Sequence, residues 1–427
     1  MSQRTRAVYA VTLGCPKNRV DTEYMLGDLV ANGWKIALRP KDADVLLVNT
    51  CGFLKDARRE SIALLQRLLR QARKGARVVA TGCMASLFRQ EIEEALPEVL
   101  VFAPGRKTPL DFIAGQACGG QGLRRLVTTG SHTAYLKIAE GCSRQCTFCI
   151  IPAIRGRQRS RPANEVIAEA RTLAECGVKE LVLVAQDLTR WGRDLPGQPG
   201  LPDLVRQLSE ELPQVRWIRL MYLYPSGVTE GLLQAVSDAP NVLSYLDIPV
   251  QHADDRVLAA MRRGTRAKDL LATVGRVRAA LPDCVLRTTY MVGFPGETED
   301  AFLRLVAFAK AARFEMAGVF CFSPEPFARA ASLPNQVPGR VAQERMARLQ
   351  AVLDEVASEH RMKQMGQVHE AVVEARRGRD AVGRLWFQAP EVDGVVVIRG
   401  FGGLPGEFVK VVLTGAEGSD FVATAVE

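Results

Sequence analysis

Cys142, Cys146 and Cys149 stand in C-x3-C-x2-C spacing within AEGCSRQCTFCIIP. An apolar, strand-like run, AYLKIAEG, precedes them and a helical pattern follows, which puts the three thiols on a loop. Three thiolates can hold a four-iron four-sulfur cluster and leave one iron without a protein ligand, open to a small molecule. Structural zinc normally takes four ligands, and the nearest histidine, His132, lies ten residues upstream of Cys142. Zinc or free thiols are therefore the poorer alternatives.

A second set is dispersed. Cys15, Cys51 and Cys83 close the runs VTLGC, VLLVNTC and VVATGC, each at the C-terminal end of an expected parallel strand. Strand C-termini form the ligand-binding edge of an open α/β sheet, so three distant cysteines meet on one rim. Each also precedes a helix, whose N-terminal dipole favours thiolate over thiol. Buried cysteines acting as small hydrophobes are the plainer alternative. Cys118, Cys176, Cys284 and Cys321 share no rim and read as structural.

The surrounding pattern is α/β in two blocks, then all β. Residues 7–103 alternate strand-like and helix-like runs, a βαβ rhythm that implies a parallel sheet covered by helices. A Gly-rich stretch, GQACGGQGLRR at 115–125, reads as a linker. From 134 to about 326 six strand candidates alternate with helical stretches, as in a partial TIM-like (β/α)6 barrel with its functional residues at strand C-termini. After about 363, short strand candidates separated by Gly-containing turns suggest a small antiparallel β-barrel. The expected domains are 1–122, 128–360 and 363–427.

A chain of 427 residues is long for one core and should divide into domains. It shows no N-terminal signal pattern and no apolar run long enough to span a membrane. Ten cysteines in such a chain, expected to be cytoplasmic, point to metal or redox chemistry rather than disulfides. The net charge of +9 permits nucleic-acid binding without establishing it.

The C-x3-C-x-aromatic-C motif, with Phe148 as the aromatic, resembles the cluster loop of radical S-adenosylmethionine (SAM) enzymes. With the N-terminal cysteine set and the terminal β region added, the whole chain resembles the radical-SAM methylthiotransferases. GCPKNRVDTE, NTCGF, YLKIAEGC, IRGRQRSRP, VLVAQDLTRWG, DIPVQH and VGFPGET carry the likeness. GCPKNRVDTE and NTCGF are similar to the RimO-type branch, which modifies a ribosomal protein; the tRNA-modifying branch usually shows Gln-Met in place of Pro16-Lys17.

The resemblance implies two four-iron four-sulfur clusters, one on each cysteine set, with SAM as a further cofactor. It implies a terminal TRAM domain and an electron donor such as flavodoxin or ferredoxin. The implied product is an aspartate of small-subunit ribosomal protein S-twelve carrying a methylthio group on its β-carbon, with the free protein or the ribosomal subunit as partner. A tRNA adenosine is the alternative substrate.

By the same resemblance Phe148, Gln186, Asp187, Gly293, Gly296 and Glu297 contact SAM. Plainer roles are available for most of them: loop packing for Phe148, a turn cap for Asp187, a turn for VGFPGET. His252 is either a proton donor or a hydrogen-bonded structural residue. Arg219 and Tyr222, near one strand end, either meet substrate or pack. From Lys363 to Glu427 there are 7 Lys plus Arg and 9 Asp plus Glu, a net of −2 in a chain of +9. An acidic module suits a basic ribosomal protein better than RNA.

Overall fold

The computed structural model describes residues 5–103 and 124–426. Most of the expected linker, and Cys118 with it, lies outside these residues. The first sheet is wholly parallel and runs β2-β1-β3-β4-β5. Its strands are β1 (Ala7–Thr12), β2 (Lys35–Ile36), β3 (Val45–Thr50), β4 (Arg77–Gly82) and β5 (Leu100–Val101). Strand β3 is buried at every position, as its unbroken VLLVNT run demands of a central strand covered on both faces. The two-residue β2 is exposed and too short to show in the sequence pattern.

The second sheet holds β6 (Thr133–Lys137), β9 (Glu180–Val184), β10 (Trp217–Leu220), β11 (Val242–Asp247), β12 (Val285–Val292) and β13 (Met316–Cys321). All pair in parallel and in sequential order, with β6 and β13 at the edges of the six-stranded sheet. Alternation along β9 sorts its side chains. Leu181 and Leu183 enter the core under the helices, while Val182 and Val184 face the concave side. A small antiparallel ribbon, β7 (Ala139–Glu140) with β8 (Arg159–Ser160), had no sequence signal. It brackets the cysteine loop.

Helix Gly339–Gln364 leads to a closed barrel of β14 (Val368–Arg377), β15 (Asp380–Leu385), β16 (Val396–Arg399), β17 (Phe408–Glu417) and β18 (Asp420–Ala425). Four seams are antiparallel, as expected. The fifth, β16 with β18, is parallel because the chain crosses the barrel after β16 to set β17 beside β14, and the following hairpin returns beside β16.

This barrel is no loose appendage. Its interior residues form one apolar cluster with Tyr135, Val182, Trp217 and Tyr245 of the second sheet's concave face. Buried Arg384 reaches across to Glu180, and Asp393 accepts from Tyr245 Oη at 2.5 Å and Arg287 Nε at 3.1 Å. Among the described residues no helix is long and apolar enough to cross a membrane.

Candidate active site

The C-terminal edges of the two parallel sheets face each other across one cavity of about 460 Å³. Cys15, Cys51 and Cys83 follow β1, β3 and β4 on one side. Cys142, Cys146 and Cys149 follow β6 on the other, and all six line the cavity. Two glycines make the first set possible. Gly14 has φ +90°, and a Cβ there would lie 2.9 Å from the Cys51 sulfur. Gly82 has φ +92°, and a Cβ there would meet Asn49 Oδ1 at 2.0 Å. Only glycine both adopts this backbone conformation and leaves that space.

On the other side the β7–β8 ribbon holds the loop base, where Cys142 N–H donates to Gly156 C=O at 3.0 Å. Thr147 binds the loop to the segment after β11 through Ala260 C=O at 2.9 Å.

Burial sets the resting state of four of these thiols. It pushes Cys51 up to about 11 and Cys149 up to about 12, with neighbouring thiols adding to the effect. Cys83 and Cys142 are also raised, again chiefly by burial. The helix-dipole expectation is thus outweighed at Cys51 and Cys83, and a bound metal must take up the work of removing the protons.

Among the described residues no three His, Cys, Asp or Glu side chains converge closely enough to hold a single metal ion. A cubane cluster asks for something else, one iron at a separate corner for each thiolate. Two sets of three cysteines, with no fourth ligand converging on either among the described residues, fit that demand.

Four cations, Lys17, Arg144, Arg155 and Arg263, stand among largely apolar and aromatic residues in the rest of the wall. Arg155 Nη2 stands 3.5 Å from Cys83 Sγ and also donates to Asn18 Oδ1. Its Nη1 pairs with Glu140 at 2.7 Å and Asp21 at 3.0 Å. Burial opposes ionisation of Glu140, yet Lys137 and Arg155 hold its carboxyl down to about 2. Arg263 Nη1 lies 3.7 Å from Cys146 Sγ, and its guanidinium covers the Tyr224 ring at 4.2 Å. Lys17 lies over the Tyr222 ring at 3.5 Å.

Phe148, Gln186 and Asp187 line the cavity. Gln186 Nε2 donates to Glu140 at 3.3 Å, while its buried Oε1 has no partner, an acceptor left for a polar ligand. Both oxygens of Asp187 are engaged, one by Thr189 and the other by Arg144 Nε at 2.7 Å, so its turn-cap role is realised.

Gly293, Gly296 and Glu297 follow β12 and are not among the residues that line this cavity, although Gln251, which does line it, pairs with β12. Glu297 is buried, pairs with Arg345 at 2.9 Å and accepts from Gly293 N–H at 2.9 Å. His252 is fully buried and its Nδ1 accepts from Asp254 N–H at 3.0 Å, the structural alternative.

Tyr222 lines the cavity, whereas Arg219 is fully buried and donates to Glu180 at 3.0 Å. Arg144, Arg155 and Arg263 were not singled out in the sequence, and Lys17 was noted only with Pro16 as a mark of one branch of the family. The segments GCPKN and IRGRQRSRP, which carry two of them, were visible only as parts of a family likeness.

Three segments of the chain match known families. Residues 7–103 match the uncharacterized protein family UPF0004, 136–309 the radical SAM superfamily and 365–426 the TRAM domain. The ribosomal protein uS12 methylthiotransferase RimO of an Anaeromyxobacter species is 41% identical over 445 residues, covering 99% of this chain and 93% of that protein. Its counterpart in Geobacter sulfurreducens is 38% identical and covers both chains completely. In fold, the chain is similar to the radical SAM methyltransferase TsrM of Kitasatospora setae, solved with cobalamin and a four-iron four-sulfur cluster bound. That likeness has a TM-score of 0.55 at 15% identity and covers 76% of this chain and 77% of that one.

Proposed function

The chain belongs to the ribosomal protein uS12 methylthiotransferase RimO family, and on that premise we propose that it places a methylthio group on the β-carbon of an aspartate in uS12. The observation that carries this is the single cavity lined by both cysteine sets. Hydrogen removal and sulfur delivery must act on the same carbon, so the groups that serve them have to face one space.

Cys142, Cys146 and Cys149 would hold one four-iron four-sulfur cluster with SAM beside it, and Cys15, Cys51 and Cys83 the other. Loaded in this way, the site gains the means to remove a hydrogen from an unreactive carbon and to supply sulfur and a methyl group. The chain's own residues do the remaining work. Arg155 and Arg263, close to Cys83 and Cys146, offset the negative charge of bound thiolates. Gln186 Oε1 offers an acceptor to the polar end of SAM, and Phe148 an aromatic surface. The rings of Tyr222 and Tyr224 help to exclude water from the space between the two sets. Asp187 orients Arg144 toward the cavity.

An electron donor of the flavodoxin or ferredoxin type would complete the reaction, and the site of action would be the cytoplasm, where ribosomes are made. The terminal barrel's net charge of −2 from Lys363 to Glu427 favours a basic protein partner over RNA. The test is to incubate the reconstituted enzyme, SAM and a reductant with purified uS12 and, separately, with adenosine-modified tRNA. Mass spectrometry should find a methylthio group on the uS12 aspartate. Modification of the tRNA alone would overturn the reading in favour of a tRNA methylthiotransferase.

A further inference from the structure

Four cations line the cavity, and they differ in what faces them. Arg144 is paired with Asp187 at 2.7 Å, and Arg155 with Glu140 and Asp21. Arg263 is committed to the Pro249 carbonyl and the Cys146 sulfur. Lys17 is different. It is 7% exposed and lines the cavity on the wall that carries Cys15, and among the described residues neither a carboxylate nor a carbonyl pairs with it. Its Nζ rests over the Tyr222 ring, which belongs to the opposite sheet.

A buried ammonium without a carboxylate partner is costly, and an arriving carboxylate would offset that cost. The ring beneath it is held in an uncommon way. Tyr222 has φ +64°, a strained conformation for a bulky residue, fixed by its N–H donating to Asp247 at 3.0 Å. Strain of this kind persists where the surroundings over-determine it, and clusters at ligand sites.

We propose that Lys17 receives the side-chain carboxylate of the substrate aspartate and so sets the preference for an acidic side chain at the reacting position. This rests on the function proposed above. A carboxylate held by Lys17 lies against the wall of Cys15, Cys51 and Cys83, which places the neighbouring carbon toward the sulfur-supplying side. The carboxylate of SAM is the competing anion. Arg144 and Arg263 are the cations on the side of the other cysteine set, which leaves Lys17 for the substrate.

The experiment measures binding of two fluorescent peptides to the cluster-loaded enzyme without reductant. One spans the aspartate of uS12 that receives the methylthio group, and the other replaces that aspartate by asparagine. Wild type should bind the aspartate peptide about ten- to a hundredfold more tightly, the range expected of a charge-assisted hydrogen bond. Lys17→Met, in preparations with wild-type iron content, should lose that preference by weakening the aspartate peptide alone, and Lys17→Arg should keep part of it.

Equal weakening of both peptides, or weakened SAM binding with the preference intact, would overturn the assignment. So would the absence of any preference in wild type, a result that needs no variant. If wild type binds neither peptide, the proposed function falls as well. If it binds and prefers the aspartate peptide but Lys17→Met does so equally, only the role of Lys17 falls.

Discussion

The two ends of the six-stranded sheet use the same side chains for opposite purposes. At the N-terminal end, charges close on one another. Glu180, fully buried, accepts from Arg219 and Arg384, and Asp393 joins Tyr245 and Arg287. Outside them Glu370 binds Arg216 and the Trp217 indole N–H, which donates at 3.1 Å. At the C-terminal end Arg144 and Arg155 have carboxylate partners, but part of the network is left open. Lys17 faces a ring, Arg263 a sulfur, and Gln186 Oε1 nothing. A buried charge therefore says little by itself. Whether its partners are already inside the protein separates a structural role from one that awaits a ligand.

Variants at the two ends should fail in different ways. Changing Cys142, Cys146 and Cys149 together to Ala should abolish methylthiolation and lower iron from about eight atoms per chain to about four. Loss of all iron would show that the two cysteine sets load as one unit. At the closed end, Arg384→Met leaves Glu180 with Arg219 as its remaining cation. Equilibrium unfolding should show a loss of ~3–5 kcal/mol, the usual effect of breaking a buried pair. A loss under ~1 kcal/mol would mean that this end is not closed as described.

Acid should act at the same place. Burial opposes ionisation of Glu180, but Arg384 and Arg219 hold its carboxyl down to about 2, below the ordinary glutamate value near 4.3. A depressed carboxyl contributes stability that is present above the unfolded value and is lost as pH falls from there toward 2. The contribution is on the order of 3 kcal/mol. Stability measured against pH in wild type and Glu180→Gln should differ in that window, the variant showing the shallower acid loss.

The smallest effect bears on the boundary between the two ends. Gly296 has φ +82° with nothing within 4 Å of an added Cβ, so Gly296→Ala should cost ~1–2 kcal/mol of backbone strain. A tenfold change in SAM affinity instead would extend the open end to β12.

Much of this architecture was legible. The β/α rhythm identified both parallel sheets, because a strand buried on both faces must be a continuous apolar run. The loop cysteines were legible because their spacing is local. The terminal barrel was legible as an element but not as a plug. Arg384 and Glu180 are 204 positions apart, and no periodicity links them.

Arg219 and Tyr222 looked alike in the sequence, two polar-tipped residues near one strand end. The fold sends the Arg219 side chain back to Glu180 and turns Tyr222 into the cavity through a left-handed backbone conformation. Asp187 and Glu297 looked available for a ligand, and each accepts both from a residue close by in the sequence, as a turn allows, and from an arginine that only the folded chain supplies.

By itself, then, the sequence determined the donor atoms and the order of elements. Ligand type and hydrophobic period are properties of residues and their near neighbours along the chain. The tertiary structure alone decided that two sheet edges share one cavity, that the terminal barrel closes the opposite end, and which charges remain without a counter-ion. These depend on long-range packing, where a charge is costly or satisfied according to what lies within a few ångströms of it.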